Sequence, residues 1–311
     1  MDESRSLKAS ANEPGVPPEG PMPEGLRMGH WSDLQGRTGC TVVMAPDGAV
    51  GGVDVRGAAA STLGTDSLRP GTLVDGVHGI LLTGGSAFGL AAAAGAMDYL
   101  AEHDIGYELV SVRVPIVAGA VIFDLPNGDA RARPDREAGY AACVDASRRE
   151  GGGQMEMGAV GAGTGATVAK GGDGSQTRPG GLGIASARVA GARVWAVMVV
   201  NAVGGIWDED ANEWVAPLDA WDGECGLVAG ANTTIGAVGT DARLSKEQAN
   251  RLATVAHDGI ARAIRPSHTM YDGDTIFALA TGRTDAAYDA VEAQAVEVVR
   301  RAIVEGVRAG Q

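Results

Sequence analysis

The chain has 311 residues, enough for one large core or two small ones. Apolar residues make up 45% and charged residues 21%, the balance of a globular protein rather than a disordered or fibrous one. A formal net charge of −14 argues against nucleic acid or an anionic membrane as partner, because neutralising phosphates needs clustered Lys and Arg.

Three cysteines, Cys40, Cys143 and Cys225, are odd in number and far apart. That pattern gives neither a disulfide framework nor a metal-ligand spacing, and it suits a reducing cytoplasm. No stretch approaches the roughly 20 apolar residues of a membrane span. The first residues carry Asp2, Glu3 and Arg5 and lack the apolar segment of a secretory signal. Gly occurs 48 times, about twice the usual ~7%, without a fixed period. Many tight turns and close backbone contacts are expected.

Residues 1–25 contain "NEPGVPPEGPMPEG", a composition that cannot bury a core, and read as a disordered arm. Ordered structure is expected from about "TGCTVVMAPDGAVGGVDVRG", where two β-branched runs flank Pro46-Asp47-Gly48, a hairpin turn signal. "GVHGILLTGG" reads as a buried strand whose glycines lead into a helix over "SAFGLAAAAGAMDYLAEH". "VRVPIVAGAVIFDL" is a strand region and "PDREAGYAACVDASRRE" a helix. A glycine-rich stretch, residues 151–183, precedes several strands in "GIASARVAGARVWAVMVVNAVGGI" and a short one around Trp214.

"VAGANTTIGAVGT" then passes from a glycine-flexed turn into a β-branched run. Ser245 with Gln248 forms a capping box, and Leu252, Val255, Ala256, Gly259, Ile260, Ala263 and Ile264 keep one helical face apolar. Pro266 ends that helix. "DTIFALA" is a strand, and "DAAYDAVEAQAVEVVRRAIVEGV" a final helix. Clustered strands with helices between and after them indicate a layered α+β domain rather than regular βαβ alternation.

Local motifs exclude several chemistries. "LLTGGSAFGL" places a glycine turn between strand and helix, yet Gly84-Gly85-Ser86-Ala87-Phe88 lacks the closing glycine of a nucleophile elbow. Dinucleotide and Walker fingerprints are absent. His30, His78, His103, His257 and His268 show no metal-ligand spacing, so neither metal nor cofactor is expected. His257 sits among core positions of the capped helix and reads as locally satisfied or partly exposed. His268, near an acidic turn, is the one to watch.

That turn, "MYDGDTIFA", holds Asp272 and Asp274 around Gly273. It reads as an ordinary Asp-Gly turn, or as a carboxylate pair that orients a nucleophile or receives an amine. Lys170 in a Gly/Ala-rich loop reads as a solvated lysine. Asn201, directly after a buried strand, is equally a turn residue or an oxyanion donor. Thr233 and Thr234 start a strand. Alternatively Thr233 is a nucleophile, which needs a base, and one solution is to make Thr the chain's N-terminus so that its own α-amine serves.

Taken together, "GGSAFGL", "PIVAGAVIFDL", "NAVGGI", "GANTTIGAVGTDARLSKEQANRLA" and "RPSHTMYDGDTIFALATG" resemble the P1 family of self-processing peptidases. That family includes the DmpA-type L-aminopeptidase/D-esterases, the β-aminopeptidases and the nylon-oligomer endohydrolases. The resemblance runs in order from about residue 25 to the C-terminus. It implies an αββα sandwich of the kind shared with the ornithine acetyltransferases, similar to N-terminal-nucleophile hydrolases.

It further implies cleavage between Asn232 and Thr233, with Thr233 as nucleophile of a hydrolase acting on small peptides or amides. On that match Asp272 and Asp274 orient Thr233 and its amine, while Lys170 and Asn201 line the centre, Asn201 as oxyanion donor. Ser86 and Phe123 fall at substrate-contacting positions. Phe123 stands where the family often has Tyr, so one hydroxyl is missing. A cytoplasmic homo-oligomer, commonly a tetramer or octamer, is implied as well.

Residues 26–311 are then one domain made of two pieces, 1–232 and 233–311, because the second piece has helices and strands that need partners. An acyltransferase like the ornithine acetyltransferases stays open, although their Ala-Thr-Met-Leu wording at the cut is absent. So does an unprocessed, non-catalytic family member.

Overall fold

The computed structural model describes residues 22–74, 76–149, 155–171, 175–218 and 232–311. In chain order the elements are β1 (Arg27–Asp33), β2 (Thr38–Val55), β3 (Thr62–Leu63), β4 (Gly76–Thr83), α1 (Ala92–Glu102), β5 (Tyr107–Leu109), β6 (Val112–Val114), β7 (Val117–Val121), α2 (Arg136–Arg148) and β8 (Thr167–Val168). There follow β9 (Arg178–Pro179), β10 (Gly181–Val189), β11 (Ala192–Asn201), β12 (Gly205–Asp208), β13 (Glu213–Ala216), β14 (Thr233–Ala242), α3 (Lys246–Ala263), β15 (Ile264–Arg265), β16 (Thr275–Thr284) and α4 (Tyr288–Gly310). Most of the expected arm, residues 1–21, lies outside the described residues, as does Cys225.

Nine strands join in one sheet, ordered β10-β11-β14-β16-β2-β4-β7-β3, with β1 paired to β2. The alternation of side chains shows how this sheet is layered. Along β11 every residue is buried. Val194, Ala196, Met198 and Val200 face one way, into a core shared with Leu252, Ala256 and Ile260 of α3 and Val298, Val299 and Ile303 of α4. Trp195, Val197 and Val199 face the other way and meet Ile80 and Leu82 of β4 and Val43 of β2. On the far side Cys40, Val42, Met44 and Leu81 pack on Ala92, Ala96 and Leu100 of α1 and Ala142 and Cys143 of α2. Three apolar interfaces therefore separate four layers, helices–strands–strands–helices, the expected αββα sandwich.

The shared strand is β2. Its first part, Cys40–Met44, pairs with β4, and its last part, Val50–Val55, pairs with β16. Here the structure corrects the expected hairpin at Pro46-Asp47-Gly48. The chain does not reverse; the three residues lie inside one 18-residue strand where the register to β4 shifts between Met44 and Ala49. Pro46 has no N–H to give a ladder, and Gly48 takes φ 79, so they form a bulge that bends the strand from one half-sheet to the other. The true reversal comes earlier, between β1 and β2, where Asp33 Oδ1 accepts the N–H groups of Gln35 (3.1 Å) and Gly36 (2.8 Å). β1 precedes the segment from which ordered structure was expected.

Local signals hold elsewhere. Ser245 and Gln248 form the full capping box at the start of α3. Asp135 caps α2 by accepting the Ala138 N–H at 3.0 Å. α1 and α2 cross so closely that a methyl on Gly95 would fall 1.8 Å from the Arg136 carbonyl oxygen, which accounts for glycine inside a helix. Cys40 and Cys143 are free and buried in that layer, and burial pushes the Cys143 thiol up to about 12. Among the described residues no helix is long and apolar enough to cross a membrane.

Candidate active site

Three strand ends meet at one edge of the sheet. β11 runs antiparallel to β14, so its last residue, Asn201, stands directly opposite the first residue of β14, Thr233. β16 runs parallel to β14, with Ile235 level with Thr275. The Asp272-Gly273-Asp274 turn that leads into β16 therefore lies beside the start of β14. An isolated parallel bridge joins Asn232 to Asp272. Residues about 30 to 70 positions apart in sequence are gathered by strand register alone.

The Asn232–Thr233 junction is buried, with Thr233 3% exposed and Asn232 fully covered. Thr233 Oγ1 donates a hydrogen bond to the carbonyl oxygen of Asn232. The Gly273 N–H donates to that same oxygen at 3.1 Å. One carbonyl is thus approached by a hydroxyl from its own next residue and polarised by a backbone donor. Neither the Asn232 side-chain amide nor the Thr234 hydroxyl has a hydrogen-bond partner among the described residues.

Lys170 is buried, not a solvated loop lysine. Its backbone is pinned by the N–H to Val203 O bond at 2.9 Å. Its Nζ donates to Asn201 Oδ1 at 2.8 Å and to Asn201 O at 3.1 Å. Asn201 Oδ1 also accepts the Thr167 N–H at 3.0 Å, while Nδ2 donates to Phe123 O at 3.4 Å. The ammonium fixes which end of the amide is the acceptor, so Nδ2 is held as the donor.

Both carboxylates of the turn are buried. Asp272 Oδ2 accepts the N–H (3.0 Å) and hydroxyl (2.6 Å) of Thr269, and Oδ1 accepts the Val203 N–H at 3.5 Å. Burial, then the charge of Asp274, push Asp272 up to about 6, against a downward pull from those hydrogen bonds. Asp274 Oδ1 accepts the Thr234 N–H at 2.7 Å. Its Oδ2 faces His268 Nδ1 at 2.6 Å.

The structure thus brings together Thr233, Asn201, Lys170, Asp272 and Asp274. Phe123 joins through its carbonyl, and its ring is half-buried. Ser86 is half-buried at the start of a 3-10 turn after Gly85, its N–H bonded to Ile122 O at 3.0 Å beside Phe123.

One member escaped the sequence reading. Asp124, next to Phe123, is buried and accepts the Gly85 N–H (2.7 Å) and the Thr38 hydroxyl (2.8 Å). Burial raises its pKa, while these bonds and the Lys170 charge lower it. The signal was an acid closing an apolar run, in "VIFD". His257, read as locally satisfied or partly exposed, is fully buried with Nε2 3.2 Å from Asp54 O, and burial pulls it down to about 3, so it is neutral. No cluster of three His, Cys, Asp or Glu able to hold a metal occurs among the described residues.

Known proteins give this arrangement a context. Residues 24–311 match the model of peptidase family S58. An uncharacterized aminopeptidase of Mycobacterium leprae is 43% identical over 289 residues, covering 84% of this chain and 78% of that one. A 6-aminohexanoate-oligomer endohydrolase of Paenarthrobacter ureafaciens is 33% identical over 280 residues, covering 84% and 74%.

Two solved structures share the fold. The L-aminopeptidase D-Ala-esterase/amidase of Ochrobactrum anthropi, described as a variant of the Ntn hydrolase fold, has TM-score 0.72 at 19% identity, with 93% of this chain and 85% of that one covered. A Burkholderia sp. β-aminopeptidase has TM-score 0.70 at 23% identity, covering 95% and 88%. With a family match along nearly its whole described length and relatives of 43% and 33% identity, the chain belongs to peptidase family S58.

Proposed function

We propose that the chain is a self-cleaving N-terminal-threonine hydrolase that acts on amide bonds of small peptides or amino-acid-like oligomers. The observation that carries the proposal is the junction itself. Thr233 Oγ1 and the Gly273 N–H converge on the carbonyl oxygen of Asn232, opposite Asn201.

The junction geometry supports the following course of maturation. Thr233 Oγ attacks the Asn232 carbonyl carbon, and the Gly273 N–H holds the developing oxyanion. The C–N bond breaks, the hydroxyl proton passes to the departing nitrogen, and an ester joins Asn232 to Thr233 Oγ. Water hydrolyses the ester, leaving Thr233 with a free α-amine. The pieces 1–232 and 233–311 stay one domain, because β14 and β16 lie inside the sheet between β11 and β2.

Turnover repeats the chemistry on substrate. The α-amine, of ordinary pKa about 8, takes the Oγ proton as Oγ attacks the amide carbonyl. Asn201, its amide oriented by Lys170, donates Nδ2–H to the oxyanion. The leaving amine takes the proton, and water releases the acid from Thr233. Asp272 and Asp274 receive the new ammonium, which offsets the repulsion between them. Phe123 and Ser86 contact substrate at the rim without a tyrosine hydroxyl. The reading carries with it a cytoplasmic homo-oligomer of four or eight subunits.

Hydrolysis of short peptide amides, with free and with acetylated N-termini, tests the proposal. Wild type is expected to hydrolyse them and Thr233→Ala to be inactive; the blocked set reports whether a free amine is required. Acetyl transfer from acetylornithine to glutamate in place of hydrolysis would instead mark an acyltransferase. An inert wild type would overturn both.

A further inference from the structure

We propose that His268 is a positioning residue of this site, holding Asp274 so that Thr233 is aimed at the Asn232 carbonyl. The proposal rests on the functional reading above and adds a residue to it.

His268 reaches Asp274 twice. Its ring Nδ1 lies 2.6 Å from Asp274 Oδ2, and its backbone N–H donates to the same oxygen at 3.2 Å. The other oxygen, Oδ1, accepts the Thr234 N–H at 2.7 Å. A continuous path therefore runs from the His268 ring through one carboxylate to the peptide group that joins Thr233 to Thr234. That peptide sets the torsion of Thr233 and so the direction of Oγ1.

The backbone supports a purpose for this residue. His268 adopts φ 55, in the left-handed region that non-glycine residues avoid. Strain of that kind is kept where surrounding contacts demand it, commonly at functional sites. Here it lets one residue present both its ring and its amide to one oxygen. Behind the ring, His257 of α3 packs edge-on at 4.9 Å between centroids, with Nε2 3.2 Å from Asp54 O. That neutral, fully buried ring blocks rotation of His268. On its free side His268 Nε2 is buried with no hydrogen-bond partner among the described residues, so its polar contact is spent on Asp274 alone.

Without the ring donor, Asp274 loses one of three hydrogen bonds and can rotate about its side-chain torsions. The Thr234 amide then loses its fixed acceptor. Misplacement of a reacting group by about 1 Å costs up to ~10²-fold in rate. The loss should appear in the chemical steps and not in substrate affinity, since His268 lies behind the carboxylate.

The test compares wild type, His268→Phe and His268→Asn. His268→Phe keeps ring volume against His257 and removes the donor. His268→Asn keeps a side-chain N–H near the Nδ1 position and tolerates positive φ. Self-cleavage is followed by intact mass against time after synthesis, and kcat and KM are measured on fully split enzyme. His268→Phe is expected to split about 10- to 100-fold more slowly, with kcat down by about tenfold and KM within about twofold. His268→Asn is expected to recover most of both rates.

Wild-type rates in His268→Phe would overturn the proposal while leaving Thr233 chemistry intact. So would equal losses in Phe and Asn variants tracked by equal drops in melting temperature, which mark a purely structural residue. If His268→Phe does not fold, His268→Gln, whose donor sits off the Nδ1 position, replaces it with the same expectations. A wild type that neither splits nor hydrolyses amides would remove the functional reading itself.

Discussion

From Ile235 to Val238, β14 is enclosed by apolar side chains: Ile235 and Ala237 face the strand–strand core, Val238 the α3/α4 layer. At Thr233 and Thr234 the same strand meets Asn201 and the polar turn of residues 268–274. The first region needs only shape and apolar area. The second buries two carboxylates and an ammonium, each bound by specific donors or acceptors, at a cost that such polar networks offset only when fully satisfied. The difference teaches how the site is held. Packing of the strand body fixes the register, and register delivers Thr233 to within reach of groups that attract it only over a few ångströms.

The sharpest way to separate the two regions is to disturb the polar end alone. Asn201→Ala removes the oriented Nδ2 donor and leaves β11 paired. Turnover of split enzyme is expected to fall about 10²–10³-fold, roughly 3–4 kcal/mol of barrier, as for loss of one oxyanion donor. Unchanged kcat would remove Asn201 from that role.

A smaller effect is expected from pH. Asp272 is pushed up from the ordinary carboxylate value of 3.8 to about 6 in the uncleaved chain, so between these values the native state holds a proton that the unfolded state has released. Its contribution therefore falls as pH rises through that window. The buried histidines act oppositely: His30, lowered to about 4, and His257, lowered to about 3, cost stability as pH falls below 6.5. In a Thr233→Ala background, Asp272→Asn should stabilise the chain at pH 7 relative to pH 4 by up to about 3 kcal/mol. Denaturant melts at the two pH values read the difference, and a gap of zero would contradict an Asp272 raised first by its burial and second by the Asp274 charge.

The smallest effect probes the apolar region. Ile303→Val in α4 removes one fully buried methyl group from the α3/α4 layer. It is expected to cost about 1 kcal/mol of stability without altering the extent of self-cleavage. Slower cleavage at a temperature far below the melt would show that packing and chemistry are coupled more tightly than the layers suggest.

Much of the frame was legible from residues close together in sequence. The capping box of Ser245 and Gln248 and the β11 run ending at Asn201 are local patterns. The Asp272-Gly273-Asp274 turn before a strand was also visible, with two meanings. What sequence spacing could not decide was set by distant partners. Pro46-Asp47-Gly48 has hairpin chemistry, yet β4 pairs with the strand on both sides of it and β16 joins from Val50, so it bulges instead of turning. Lys170 has a loop's composition around it, and only the strand end carrying Asn201 explains its burial. Asp124 gains its partners from Gly85 and Thr38, 39 and 86 positions away, contacts that exist only once the sheet has formed.

The central claim is that the Asn232–Thr233 bond is broken by Thr233 itself. Intact mass of the purified protein under denaturing conditions measures it directly. The account predicts two fragments, one ending at Asn232 and one starting at Thr233, from wild type, and a single uncut chain from Thr233→Ala. A wild-type chain that stays whole yet hydrolyses amides, or a Thr233→Ala chain that still splits there, would contradict it.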